Sequence, residues 1–176
     1  MSTSAVGGNA LQLYRVMLGG RAPRANVELH DVVFAIGTDL ASLYAQLRAA
    51  WFGQAAGLHI DAWQVITGVD GWRVQLDQAA PEPDAPKLFF VNLGGYLPGQ
   101  FGEEHRFELV VAADAAAAKA AALARVRSAG WDKPHRDALL EVDDCLHIGQ
   151  IGRLHVHLQR GDYTEQPVLC DYIVLN

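Results

Sequence analysis

Leu13-Tyr14-Arg15-Val16-Met17-Leu18-Gly19-Gly20 comes back, little changed, as Leu88-Phe89-Phe90-Val91-Asn92-Leu93-Gly94-Gly95, a shift of 75 residues. Each copy is a short apolar run stopped by a glycine pair, which reads as a buried strand. The same shift carries Pro23 to Pro98, Glu28 to Glu103, His30 to His105 and Asp39 to Asp114. At His59-Ile60-Asp61-Ala62, matched to His135-Arg136-Asp137-Ala138, the shift is 76. Self-similarity on this scale implies an internal duplication.

Working outward, the first copy continues with a turn-rich loop, Arg21 to Asn26, and a strand from His30 to Ile36. Val32, Phe34 and Ile36 share one face of that strand, and His30 shares their parity. Thr38 or Asp39 is suited to cap a helix. Leu40, Leu43, Tyr44, Leu47 and Trp51 then form one apolar stripe, predicting a helix of about three to four turns. His59 to Ile66 reads as a third strand. Thr67-Gly68-Val69-Asp70-Gly71 is a hairpin turn leading to a fourth strand, Trp72 to Leu76.

Residues 78–87, with Pro81, Pro83 and Pro86, read as a linker. The second copy repeats the order: strands Leu88–Leu93 and His105–Val111, a helix Ala115–Ser128 capped by Asp114, a strand Asp137–Val142, and a last strand through Leu154, Val156 and Leu158. The helix has a thin stripe of Ala118, Ala122 and Val126, so it should lie close to its neighbour. Asp143-Asp144-Cys145-Leu146-His147 reads as an insertion. The expected layout is a tail at 1–10, copies at 11–77 and 88–160, and an appended strand in 161–176, folding as one cooperative domain. Two copies of strand–strand–helix–strand–strand predict an α+β fold: an antiparallel or mixed sheet with helices on one face, the copies related by a pseudo-twofold axis.

Composition narrows the functional classes. Hydrophobic residues make up 51% and charged residues 19% of the 176, so a packed core is expected. A net charge of −6 argues against nucleic acid as a partner. No stretch is apolar for long enough to span a bilayer, and Met1 to Ala10 lacks a secretory pattern, so no membrane partner and a cytoplasmic location are expected. The two cysteines, Cys145 and Cys170, have no metal-ligand spacing. Cys145, beside Asp143 and Asp144, is expected to have a raised pKa and to be no nucleophile.

Topology gathers the polar motifs. If the first strand runs upward, Gly19-Gly20 lie at its top. A hairpin return starts the second strand there, with Glu28 and His30. The helix carries the chain back, so that His59 and Asp61 start the third strand at the same edge. In the second copy the same argument collects Glu103, His105, His135 and Asp137. Glu28/His30 and His59/Asp61 are each spaced by two, so each pair points the same way in a strand. Such groups suit a divalent metal at His30, His59 and Asp61, and at His105, His135 and Asp137, or else a general acid/base pair. A structural role is the competing reading: each histidine can bond a nearby carboxylate or strand backbone and do nothing more. Gly19-Gly20 with Arg21 and Arg24 could also cradle a phosphate, although a turn demanding glycine explains the pair as well.

Leu18-Gly19-Gly20, Glu28-Leu29-His30-Asp31, Trp51-Phe52-Gly53 and Gly57-Leu58-His59-Ile60-Asp61 together resemble a bacterial domain-of-unknown-function family, DUF1543. In the second copy the corresponding residues are Phe89 to Tyr96, Glu104-His105 and Glu141-Val142-Asp143-Asp144-Cys145. The resemblance covers about residues 11–160 and implies a unit present once or twice per chain; it brings no chemistry with it. The function expected from the residues is binding of a small molecule or a divalent metal at the duplicated clusters. A hydrolase or isomerase using a His/carboxylate pair is the alternative. A third reading is a homo-oligomeric assembly module whose exposed strands pair between chains.

Overall fold

The computed structural model describes residues 10–96, 99–128 and 141–175. They form an α+β structure that is mostly antiparallel sheet, and they divide into two compact units. One runs to Thr67 and takes up the chain again from Thr164; the other spans Gly68–Tyr163.

In the first unit, β1 (Gln12–Gly20) lies between β2 (Leu29–Gly37) and β3 (His59–Val65), antiparallel to both. β11 (Leu169–Val174) closes the sheet along the far side of β3, giving the order β11-β3-β1-β2. Tyr14, Val16 and Leu18 alternate toward one face, where they meet Leu43, Leu47 and Trp51. Those three come from a 3-10 turn, Ala41–Leu43, that runs into α1 (Tyr44–Ala50) and the residue after it. The helix is therefore shorter than its stripe predicts, since its first turn is 3-10. Asp39 Oδ1 accepts from the Ser42 backbone N–H at 2.9 Å, satisfying a donor that the turn leaves open.

Val32, Phe34, Ile36 and His30 share one face of β2, as expected, but the helix covers the other. Leu29, Val33 and Ala35 face the helix-covered core.

The second unit holds two sheets. β6 (Lys87–Gly95) lies between β7 (Glu104–Ala112) and β8 (Glu141–His147). α2 (Ala115–Val126) covers one face, burying the predicted stripe of Ala118, Ala122 and Val126. Alanine at the contact permits close approach. Asp114 caps the helix as expected, accepting from the Ala117 N–H at 2.8 Å.

The fourth strands do not join these sheets, contrary to a single strand–strand–helix–strand–strand layer. Instead β4 (Gly68–Val69), β5 (Trp72–Asp77), β9 (Gln150–Ile151) and β10 (Leu154–Arg160) make a sheet of their own, ordered β4-β5-β10-β9. The Asp70-Gly71 turn joins β4 to β5 with φ of 57° and 78°, the paired left-handed conformation of a type I′ hairpin. The Asp70 carboxylate then accepts from Arg125 Nη2 at 2.7 Å and from the Val111 N–H at 2.9 Å, tying the turn to α2 and β7.

The third strand expected in the second copy, Asp137–Val142, lies outside the described residues as far as residue 140. β8 begins at Glu141 and runs through the residues read as an insertion. It pairs with β6 as β3 pairs with β1: Leu93 opposes Val142 where Leu18 opposes Ile60. By strand register Val142 thus stands 82 residues after its counterpart Ile60, whereas the sequence match at His135 has an offset of 76. His135 and Asp137 lie outside the described residues.

Candidate functional site

Gly19 is the floor of the first cluster. In register it faces His30 on β2 and His59 on β3, so the strand pairing alone brings the two histidines to either side of one residue. Asp61 joins them through a β-bulge. Leu18 pairs with Ile60 and Met17 with Ala62, leaving Asp61 as the extra residue, and a bulge re-aims such a side chain. Glu28, just before β2, completes the group.

The four side chains form a ring in which nitrogen and carboxylate alternate. His59 Nε2 is 3.4 Å from Glu28 Oε1 and 3.3 Å from Asp61 Oδ1. His30 Nε2 is 3.3 Å from Asp61 Oδ2 and 3.8 Å from Glu28 Oε2. A Cβ on Gly19 would lie 2.4 Å from His59 Nε2 and 2.6 Å from Asp61 Oδ2. Glycine is needed here for close approach, within a strand, and not for a turn. Gly20 is needed for a second reason, because its Cβ would lie 2.7 Å from the Trp51 ring.

His59 is 1% exposed. It sits between Gly19 and Val174 of β11, and the Tyr172 ring packs against it, tilted by 35°, with centroids 4.2 Å apart. Its Nδ1 is 2.8 Å from the Gly57 carbonyl. A carbonyl only accepts, so Nδ1 carries a proton and Nε2 is the nitrogen turned into the cluster. Among the described residues, neither this Nε2 nor Asp61 Oδ2 has a hydrogen-bond partner. His30 and Glu28 are half exposed, so the cluster opens to solvent on their side.

The second cluster stands over Gly94, which faces His105 on β7 and Glu141 on β8. A Cβ on Gly94 would lie 2.3 Å from Glu103 Oε1 and 2.5 Å from Asp143 Oδ2. Asp143 is the bulged residue, between Val142 opposite Leu93 and Asp144 opposite Asn92. His105 Nδ1 lies 3.3 Å from Asp143 and 3.2 Å from Asn92 Oδ1. One ligand atom each from Glu103, His105 and Asp143 lie within 4.8 Å of one another, and all three residues are exposed. In the first cluster each carboxylate meets its two histidines with different oxygens, so closing on one ion requires the carboxylates to rotate.

Of the eight residues singled out in the sequence, Glu28, His30, His59 and Asp61 come together, as do Glu103 and His105. Asp143 was missed. The apolar residue followed by Asp in Val142-Asp143 matches Ile60-Asp61 and was the available signal. Tyr172 had no signal, since nothing in its sequence neighbourhood points to β3. Cys145 and Cys170 are free. The Cys145 thiol is indeed pushed up, chiefly by burial, so its acidic neighbours are not the main cause. Among the described residues no helix is long and apolar enough to cross a membrane.

The chain matches the crystal structure of protein Il1583 from Idiomarina loihiensis at 31% identity and a TM-score of 0.74, over 95% of this chain and 99% of that one. No curated protein matches it. The Domain of Unknown Function DUF1543 matches residues 25–76, the stretch that carries all four members of the Gly19 cluster. With that match and a relative aligned along nearly its whole length, the chain belongs to the DUF1543 family.

Proposed function

We propose that this protein binds a divalent metal ion in the Glu28/His30/His59/Asp61 cluster. The observation that carries the reading is His59 Nε2: buried, without a hydrogen-bond partner, and facing two carboxylates. With the proton on Nδ1 alone, Nε2 offers a lone pair beside two carboxylates, the donor set that a metal cation between them would bind. Three of the four ring distances are 3.3–3.4 Å and the fourth is 3.8 Å, so rotation of the two carboxylates would bring one oxygen of each to a shared ion. Tetrahedral ligands at about 2.1 Å from a metal are separated by about 3.4 Å. Two carboxylates and two neutral imidazoles also balance the charge of a divalent ion. The Gly57 carbonyl holds the ring tautomer, as outer partners of metal-bound histidines do.

The same geometry disfavours the acid/base alternative. In a His/carboxylate pair the carboxylate orients one nitrogen and leaves the other free for substrate. Here a backbone carbonyl orients Nδ1, and both carboxylates crowd the nitrogen that would react.

We infer further that the two clusters descend from one duplicated unit. The shift of 75 links β1 and β2 to β6 and β7, while a shift of 82 links β3, β4 and β5 to β8, β9 and β10. Under the second shift Gln75 pairs across the β5–β10 ladder with its own counterpart, His157, the register that a local pseudo-twofold axis requires. The copies have diverged at the site. Register puts Glu141 where the first cluster has His59, so the second is left with one histidine and is the weaker site for a borderline metal.

Calorimetric titration of chelator-stripped full-length protein with Zn²⁺ or Co²⁺ tests this. One tight equivalent is expected, lost in His59→Ala and strongly weakened in Glu28→Gln, a change at an exposed side chain that should leave the fold intact. His105→Ala should retain that equivalent. Absence of tight binding, together with a melting temperature indifferent to both metals, would refute the proposal.

A further inference from the structure

We infer that the ion in the Gly19 cluster takes as a further ligand an oxyanion, the phosphate or carboxylate group of a small molecule, held jointly by Arg21 and Arg24. This deepens the cation reading and rests on it. Both arginines lie in the loop that leaves β1 at Gly20 and enters the cluster at Glu28. Arg21 follows the floor residue by two positions, and Arg24 precedes Glu28 by four.

The loop is built to hold them. The Ala25 N–H donates to the Ala22 carbonyl at 3.1 Å, closing a turn with Pro23 and Arg24 at its centre. Arg24 has φ of 68°. Proline followed by a positive φ makes this a type II turn, whose third position favours glycine. The chain supplies its own control: Gly99, at the position 75 residues on, has φ of 81°. The same backbone conformation thus carries glycine beside the second cluster and arginine beside the first. A non-glycine residue in this region is strained, and such strain concentrates at functional positions. Arg21 is anchored independently, since its carbonyl accepts from the Gln54 N–H at 2.6 Å. A Cβ on Gly53 would lie 2.5 Å from that carbonyl oxygen, which accounts for the Trp51-Phe52-Gly53 motif.

Charge points the same way. In a chain of net charge −6, both arginines are exposed, and among the described residues neither guanidinium is in a hydrogen bond or ion pair. The second copy has Tyr96 and Gly99 at these positions and no cation from Gly99 to Glu103. Arginine presents a planar fork that matches phosphate and carboxylate oxygens. Glu28 and His30 are exposed, so such an oxygen can reach the ion from their side and expand its coordination from four to five.

The test uses Co²⁺-loaded full-length protein titrated with inorganic phosphate, read by the visible cobalt absorption and by calorimetry. Phosphate is expected to perturb the cobalt bands. Arg21→Gln and Arg24→Gly should each weaken phosphate binding about fivefold or more while leaving cobalt affinity unchanged. Arg24→Gly places the favoured residue in the turn, so it should fold at least as well as the native chain. Equal phosphate affinity in all three proteins would overturn the inference while cobalt binding stands. So would phosphate binding as tight without cobalt as with it. Failure of cobalt to bind would remove the metal reading and this inference together.

Discussion

Replacing Gly19 with alanine should destabilise the first unit far more than replacing Gly94 destabilises the second. Both changes put a methyl group into a side-chain cluster at comparable distances: 2.4 Å from His59 Nε2 in one case and 2.3 Å from Glu103 Oε1 in the other. The difference is what can yield. His59 is held by Gly57 through Nδ1, capped by Tyr172 and fully enclosed. Moving it forfeits a hydrogen bond worth about 1 kcal/mol and overpacks the site by about 1–3 kcal/mol. The better strand propensity of alanine returns about 0.5–1 kcal/mol. The net loss for Gly19→Ala is therefore about 1–3.5 kcal/mol. At Gly94 the obstructing carboxylates are exposed and can swing into water, so Gly94→Ala should stay within about 0.5 kcal/mol of the native protein. Urea denaturation followed by tryptophan fluorescence reports the first unit through Trp51 and Trp63. Equal losses for the two variants would refute the claim that His59 is rigid and the second cluster pliant.

Three further outcomes follow from the same structure. Asp114→Ala removes the cap on the Ala117 N–H and should cost the second unit about 1 kcal/mol by urea titration. Ala118 is fully buried against the sheet, so Ala118→Leu should destabilise that unit by about 1–3 kcal/mol, whereas the same change at exposed Ala116 should be nearly silent. Burial, with a smaller contribution from Asp39, raises the Tyr14 phenol above its ordinary 10.0. A raised pKa in the folded state means full stability below pH 10.0 and progressive loss as pH climbs through the raised value. Tyr14→Phe should flatten this alkaline loss in pH-dependent urea titrations.

How much of this was legible in the sequence depended on whether local pattern or long-range pairing decided each feature. The α2 stripe and its Asp114 cap, the Asp70-Gly71 turn, and the meeting of His30 with His59 all rest on periodicity, capping or strand direction, and these are local properties. The separate sheet of β4, β5, β9 and β10 was not legible, because β5 and β10 are nearly eighty residues apart and their alternation suits any sheet with one covered face. The role of Tyr172 was likewise hidden. It depends on β11 returning to β3 after the whole second unit has intervened.

The misplacement of Asp143 is different, because its signal was present and concerns the hydrophobic face. Along a regular strand, core residues keep one parity. In β3 the core side takes Ile60 and then Trp63 and Val65, so the parity changes once between 60 and 63. In β8 it takes Val142 and then Cys145, with the same change. Only an extra residue allows both sides of that slip to face the core, and in each strand the residue beside the slip is the aspartate over the glycine floor. The match of His59-Ile60-Asp61 to His135-Arg136-Asp137 preserved letters but put arginine where Ile60 is fully buried. Matching the slip instead pairs Ile60 with Val142 and Asp61 with Asp143, and the shift of 82 follows. The bulge thus serves packing and site together: Ile60 and Trp63 stay in the core because Asp61 is turned out of it, toward His30 and His59. Deleting Asp61 should therefore do more than remove one carboxylate. It would force either Ile60 or Trp63 off the core face, so the deletion should unfold the first unit, whereas Asp61→Asn should leave it folded with weakened cation binding. Equal stability of the two variants in urea would show that the bulge carries no packing role.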